Sequence, residues 1–313
     1  MKSRRPAAGR IRLGKIGEDE LLEKLLRGLP LRKDVVAGAG DDAAIVVGPD
    51  RGDLAVLKTD CVVENVHFDH TAAAETIGWK AMMRPLSDFA AVSAVPRFAL
   101  ATLIAGKEKE VEWVTRIYRG LKRAAGRFGV SIVGGETSGT RGPTVISVSV
   151  IGQVEKKRWV SRSGGRSGDH LFVTGRLGGS IRGKHLRFVP RIQESRWLTA
   201  NFQIHAMMDL SDGLGADLPR LARASKVGFQ IERKALPRAA GASAHNAISD
   251  GEDYELLFSI SARDSKRLQT RWARKFPKVR LTRIGWLIPQ SKRNARPART
   301  NSQLLPRGYV HFQ

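Results

Sequence analysis

Residues 208–214 read Met208-Asp209-Leu210-Ser211-Asp212-Gly213-Leu214: two carboxylates, a serine and a glycine at the end of an apolar run. A helical pattern over about Gly213 to Ala224 follows directly. Three other stretches repeat this arrangement of acid beside glycine, serine or threonine: Gly40-Asp41-Asp42, Thr59-Asp60 and Leu86-Ser87-Asp88. Any one of them alone is commonly a turn or a helix N-cap. Four together concentrate charges that repel, and hard divalent cations with oxygen ligands offset such repulsion.

The surrounding composition makes the clustering meaningful. The 313-residue chain carries 54 Lys and Arg against 30 Asp and Glu, a net charge of +24, so anionic partners are favoured. Eleven of the excess positive charges sit in acid-free ends, residues 1–16 and 288–313. Residues 34–95 reverse the balance, with ten acids and four bases (Arg51, Lys58, Lys80 and Arg84). The seven histidines are scattered, with no HExxH and no CxxC, which argues against zinc and leaves Mg²⁺ as the implied ion. Mg²⁺ is usually held by one or two carboxylates plus substrate phosphates, so the pattern points to a nucleotide.

The common phosphate motifs are missing: there is no GxxxxGK[ST], no GxGxxG after a strand, and no HRD or DFG set. Gly134-Gly135-Glu136-Thr137 and the turn around Gly175, Gly178 and Gly179 offer backbone N–H groups to an anion. The basic stretch Arg158–Arg191 offers guanidinium groups. Cys61 has no histidine partner at an interpretable spacing and reads as a small hydrophobe rather than a nucleophile. As the single cysteine it excludes an internal disulfide, and with no signal peptide at the Arg-rich start it suggests a cytoplasmic protein. No run of about 18 apolar residues suggests a membrane span.

The pattern of elements is mixed. A helix from about Glu18 places Leu21, Leu22, Leu25, Leu26 and Leu29 on one stripe, expected to pack into the core. Strands are expected at Ala43–Val47, Leu54–Lys58, Cys61–His67, Phe98–Ala105, Ser131–Val133 and Thr144–Val154. Helices are expected at about Ala72–Val95, broken or restarted at Pro85, and Glu108–Phe128. After a basic break at Lys156-Lys157-Arg158 come strands His170–Thr174, Gly228–Ile231, Tyr254–Ile260 and Val279–Ile288, with a helix at Ala262–Lys275. The reading is α+β (mixed α/β) with a basic extension at 1–16 and two domains, 17–155 and 156–313.

Taken in order, these segments resemble the thiamine-monophosphate kinase family of the aminoimidazole ribonucleotide synthetase-like superfamily. The markers run from Gly40-Asp41-Asp42-Ala43-Ala44, through Lys58-Thr59-Asp60 to Asn65-Val66-His67-Phe68, Leu86-Ser87-Asp88, Gly134-Gly135-Glu136-Thr137 and Ser161-Arg162-Ser163-Gly164, to Asp209–Leu214, Gly251-Glu252-Asp253-Tyr254-Glu255-Leu256 and Gly308-Tyr309-Val310-His311-Phe312. The resemblance implies a homodimer in which N-terminal domains share a β-barrel, and ATP-dependent phosphorylation of thiamine monophosphate with Mg²⁺. It implies metal ligands at Asp42, Thr59, Asp60, Asp88, Glu136, Asp209 and Asp212, and nucleotide contacts at Gly135, Glu136, Arg162 and Ser211. Substrate contacts fall at His67, Glu252 and Tyr309, and the catalytic core at Asp60, Asp88, Asp212 and Arg162.

The sequence departs from the family pattern at Glu136, where Asp is expected, at Lys58, where a small residue usually precedes Thr-Asp, and at Asp250, where Gly is usual. The rival superfamily readings are weaker. Residues 1–60 lack the reactive cysteine of selenophosphate synthetase, the C-terminus lacks the cysteine of the hydrogenase-maturation enzyme, and 209–213 and 251–256 disfavour the purine enzyme. A nucleic-acid-associated protein fits the net charge, yet 6% aromatic content and no recognition motif argue against specific readout.

Overall fold

The computed structural model describes residues 13–15, 18–48 and 52–290. Tyr309 and the rest of its terminal motif, like most of both basic ends, lie outside the described residues. None of the described helices is long and apolar enough to cross a membrane.

The first half of the chain builds one six-stranded sheet from β1 (Val35–Ala37), β2 (Ala44–Val47), β3 (Asp53–Val63), β4 (Val95–Ala105), β5 (Ser131–Gly139) and β6 (Val145–Glu155). The strand order is β1-β2-β3-β6-β4-β5, antiparallel except for the β4–β5 pair. β1 and β5 remain at open edges, so this sheet forms no closed barrel by itself. Two expected strands prove to be one: β3 runs unbroken through Lys58-Thr59-Asp60 because every residue from Asp53 to Val63 has a partner on β6. The period-2 alternation then sorts the side chains. Leu54, Val56 and Val62 are buried, whereas Leu57, Thr59 and Cys61 are exposed on the opposite face.

The buried face packs on α2 (Ala74–Ala91) and α3 (Val111–Arg127). Pro85 does not break α2 as expected. Fourteen of the eighteen residues of that helix are buried, and their packing outweighs the one backbone hydrogen bond that proline removes. The two helices cross closely: a methyl group at Gly78 would strike the backbone at Ile117, and one at Gly120 the backbone at Glu75.

The second half builds a five-stranded antiparallel sheet from β7 (His170–Thr174), β8 (Ile204–Asp209), β9 (Gly228–Ile231), β10 (Leu256–Ile260) and β11 (Leu281–Ile288), in the order β8-β10-β7-β11-β9. β8 and α4 (Ile192–Asn201) were not expected, and α5 (Leu214–Ala224) begins where the sequence placed it. α6 (Asn246–Ser249) and α7 (Ser265–Lys275) complete the described helices after α5. The halves meet along α2, which packs on β8 and α4, and are tied by Ser87–Asp209 and by Arg196 to Glu155 and the Ser93 carbonyl.

One expectation for the core fails. α1 (Glu18–Leu26) forms, but its leucine stripe is not packed away: Leu25 is 61% exposed and Leu29 51%. Leu22 and Leu26 instead face a large cavity.

Candidate active site

The acidic clusters reach the seam between the sheets from four elements. Asp41 and Asp42 lie in the loop between β1 and β2, Asp60 on the buried side of β3, Asp88 near the end of α2, and Asp209 at the end of β8. Asp42, Asp88 and Asp209 are all buried and bring carboxylate oxygens within 4.8 Å of one another. Each owes its place to local structure: Asp42 to a tight loop, Asp88 to the helical period, Asp209 to the last pairing of β8 with β10.

Four side chains manage the resulting repulsion. Arg162 forks onto Asp42, with Nη2 donating to Oδ1 at 2.7 Å and Nε to Oδ2 at 3.1 Å. Ser87 donates to Asp209 at 2.6 Å. Lys58 sets its ammonium 3.1 Å from Asp88 and 3.8 Å from Asp60. Arg84 reaches within 3.8 Å of Asp60. Even so, burial and the charge of Asp42 lift Asp209 to about 7. Burial also drives Asp88 well above the carboxylate range, against the pull of Lys58. Asp41, half-buried beside the Asp42 charge, is lifted to about 6 by partial burial and that charge. Converging carboxylates whose ionised forms are this disfavoured, offering only hard oxygen atoms, are a donor set that fits Mg²⁺.

Two adjoining cavities open from this point. The larger, about 830 Å³, is lined by Asp41, Lys58, Asp60, Asp88, Asp209 and Arg162, and also by Leu22 and Leu26. The smaller, about 380 Å³, is lined by Val66, His67, Ile181, Gly251, Glu252 and other residues. Arg84, Ser211, Asp212 and Tyr254 line both.

The wall between them is held by unusual backbone. Glu252 and Tyr254 both adopt positive φ, at 62° and 50°, a region that non-glycine residues rarely enter. Their N–H groups donate to the carbonyls of Ser211, at 2.6 Å, and Leu210, at 2.8 Å, which strap the 251–255 segment to the Asp209–Gly213 turn. The Glu252 carboxylate meets the fully buried Lys80 at 2.6 Å and accepts the Tyr254 hydroxyl at 3.2 Å. Lys80 also donates to the carbonyl of His67 at 2.6 Å, which fixes that residue at the cavity rim. Burial brings Lys80 down to about 8 despite Glu252.

Of the expected metal set, the structure therefore joins Asp42, Asp88 and Asp209. Asp60 and Asp212 line the larger cavity beside Asp88 and Asp209, with Asp212 ion-paired to Arg220. Thr59 is not brought to this point: it sits on the outward face of β3, where its Oγ1 accepts from Ser149. Gly135 and Glu136 lie exposed on the edge strand β5, where Glu136 accepts from the Thr137 N–H. Ser211, His67 and Glu252 do line the cavities, and Arg162 is engaged by Asp42. The sequence reading passed over Lys80, Arg84, Tyr254 and Arg220. Arg84 and Lys80 had a signal, since Arg84 is four residues before Asp88 and Lys80 four before Arg84, on one helical face.

Comparison with known proteins agrees with this geometry. The family description AIR synthase related protein, N-terminal domain, matches residues 40–154, and its C-terminal counterpart matches residues 129–293. The chain is 36% identical over 296 residues to the thiamine-monophosphate kinase of Rhodopirellula baltica, covering 88% of this chain and 92% of the relative. It is 30% identical to that of Bacillus subtilis, covering 89% and 94%. Among solved structures, AaThiL complexed with AMPPCP and TMP superposes with a TM-score of 0.78 at 30% identity, over 97% of this chain and all of the other. Carboxylates converging beside paired cavities and near full-length similarity lead to the same place: this chain belongs to the thiamine-monophosphate kinase family.

Proposed function

We infer that the chain transfers the γ-phosphoryl group of ATP to thiamine monophosphate, giving ADP and thiamine diphosphate. The observation that carries this is the carboxylate cluster Asp42–Asp88–Asp209, of which Asp88 and Asp209 line a cavity large enough for a nucleotide, opening onto a second cavity suited to a small organic acceptor.

An oxygen of the acceptor phosphate attacks the γ-phosphorus in line while the bond to the β–γ bridging oxygen breaks, and ADP leaves with that electron pair. The acceptor oxygen is already anionic at neutral pH, so no side chain needs to remove a proton and none becomes phosphorylated. What remains for the protein is positioning and charge neutralisation. Asp42, Asp88 and Asp209, with Asp60 and Asp212 lining the cavity beside Asp88 and Asp209, would hold Mg²⁺, which supplies neutralisation of the phosphate oxygens. Arg162 keeps Asp42 oriented toward the cluster through its fork. Leu22 and Leu26 offer an apolar wall for a nucleobase, the use we assign to the exposed leucine stripe of α1. His67 and Glu252 bound the acceptor cavity.

We further propose a cytoplasmic homodimer with a division between domains near residue 156. The outward face of the first sheet carries Leu57, Phe98, Leu100, Val133 and Ile151, each at least 39% exposed, which is a large apolar surface for a solvated face. Pairing of two such faces would form the shared barrel, and would be the means by which Gly135 and Glu136 on edge strand β5 come near a nucleotide.

The test is an assay of purified protein with ATP, varying metal and acceptor. Thiamine diphosphate is expected only when Mg²⁺ and the monophosphate are both present. Product from thiamine itself, or product in excess EDTA, would overturn the reading.

A further inference from the structure

Arg84 is the one cation among the four residues that line both cavities. It projects from α2 one helical turn before Asp88. Its side chain is 16% exposed, and its nearest opposite charges, Asp60 and Glu252, stand 3.8 Å away on either side. Neither contact is a hydrogen bond, and its buried Nε has no partner.

Other largely buried guanidinium groups among the described residues behave differently. Arg162 forks onto Asp42 at 2.7 and 3.1 Å, Arg191 onto Glu255 at 2.7 and 2.8 Å, and Arg196 onto Glu155 at 2.7 Å through both Nη atoms. The first pair orients a carboxylate of the cluster, and the other two tie elements of the fold together. Of the carboxylates near Arg84, Glu252 is already served by Lys80 at 2.6 Å, and Asp60 stands 3.8 Å from Lys58 as it does from Arg84. A structural role would be expected to close one of the 3.8 Å gaps, because a buried guanidinium without hydrogen bonds is unfavourable. Donors left open at the mouth between two cavities suit an anion entering there.

We propose that Arg84 binds the phosphate of the acceptor, a phosphomonoester whose organic body fills the smaller cavity, and holds it facing the carboxylate-lined cavity. The proposal rests on the kinase reading and adds the residue by which the site requires a phosphorylated acceptor. A planar guanidinium contacts two phosphate oxygens at once, which lysine cannot reproduce. Placed between two anionic substrates, it also reduces their mutual repulsion without consuming a carboxylate of the cluster.

The experiment compares wild type, Arg84→Met and Arg84→Lys by calorimetric titration with thiamine monophosphate, thiamine and AMPPCP, beside steady-state kinetics. Loss of a charge-assisted contact predicts monophosphate affinity about 10- to 100-fold weaker in Arg84→Met. Affinity for thiamine and AMPPCP should stay within about threefold, and Arg84→Lys should recover part of the loss. Monophosphate affinity in Arg84→Met equal to wild type, or an equal loss for AMPPCP, would overturn the proposal even with wild-type turnover intact. A wild-type protein that neither binds nor phosphorylates thiamine monophosphate would overturn the kinase reading, and the inference with it.

Discussion

Replacing Asp209 by asparagine should make the protein more stable and inactive, because the same burial that equips the carboxylate for a cation disfavours its charge. Asp209 is 3% exposed, shares an enclosure with Asp42 and Asp88, and is lifted from 3.8 to about 7 by burial and the Asp42 charge. At 1.36 kcal/mol per tenfold change, that corresponds to about 4 kcal/mol against the ionised form. Relaxation and water entry reduce what is measured to ~1–3 kcal/mol. Between pH 3.8 and about 7 the folded state binds more protons than the unfolded chain, so this group's contribution falls as pH rises through that window and is at its most unfavourable above it. An asparagine at this position would be neutral throughout, and its amide oxygen can still accept from Ser87. Urea unfolding in EDTA should therefore find the Asp209→Asn variant more stable than wild type by ~1–3 kcal/mol at about pH 8, with the gap closing near pH 4. Kinase activity in saturating Mg²⁺ should fall at least about 100-fold. A variant less stable than wild type at the higher pH, or one that keeps its activity, would refute the reasoning.

Three further outcomes are expected. Lys58→Ser removes the ammonium 3.1 Å from Asp88 and should tighten Mn²⁺ binding about tenfold, followed by the free-ion resonance signal; unchanged affinity would mean that Lys58 does not compete with a cation. Glu255→Ala should destabilise by ~3–5 kcal/mol in urea, since it strands Arg191 and Lys184 around a site where those cations overcome burial and hold the carboxyl below its usual range. Gly120→Ala should lower stability by about 1–3 kcal/mol or more by forcing α3 away from Glu75 on α2, measurable as a drop in thermal midpoint.

The acid clusters were legible because each is a short-range pattern, a carboxylate beside a small residue at the end of an apolar run, and such patterns survive into structure at Asp42, Asp88 and Asp209. Which of them would converge was less so. Thr59 follows Lys58 and precedes Asp60, yet the period of β3 sends it to the other face. That alternation was available in Leu54, Val56 and Val62 against Leu57 and Cys61, but the polar triplet made the strand look broken. α4 and β8 escaped notice because the residues between Gly179 and Asp209 are interrupted by bases and Pro190, so no period dominates. The helix around Pro85 forms for a reason that local sequence does not contain, its burial on nearly every side. The leucines of α1 had the right spacing for a core stripe, and only the tertiary arrangement reveals that two of them face a cavity instead.

The central claim is that the γ-phosphoryl group of ATP passes directly to the phosphate of thiamine monophosphate, and the most direct measurement follows that group. With ATP labelled in its γ-phosphate, Mg²⁺ and thiamine monophosphate, the label is predicted to appear in the terminal phosphate of thiamine diphosphate, in step with ADP formation and with none retained on the protein. Label released only as inorganic phosphate, or trapped on a side chain before the acceptor is added, would contradict the account.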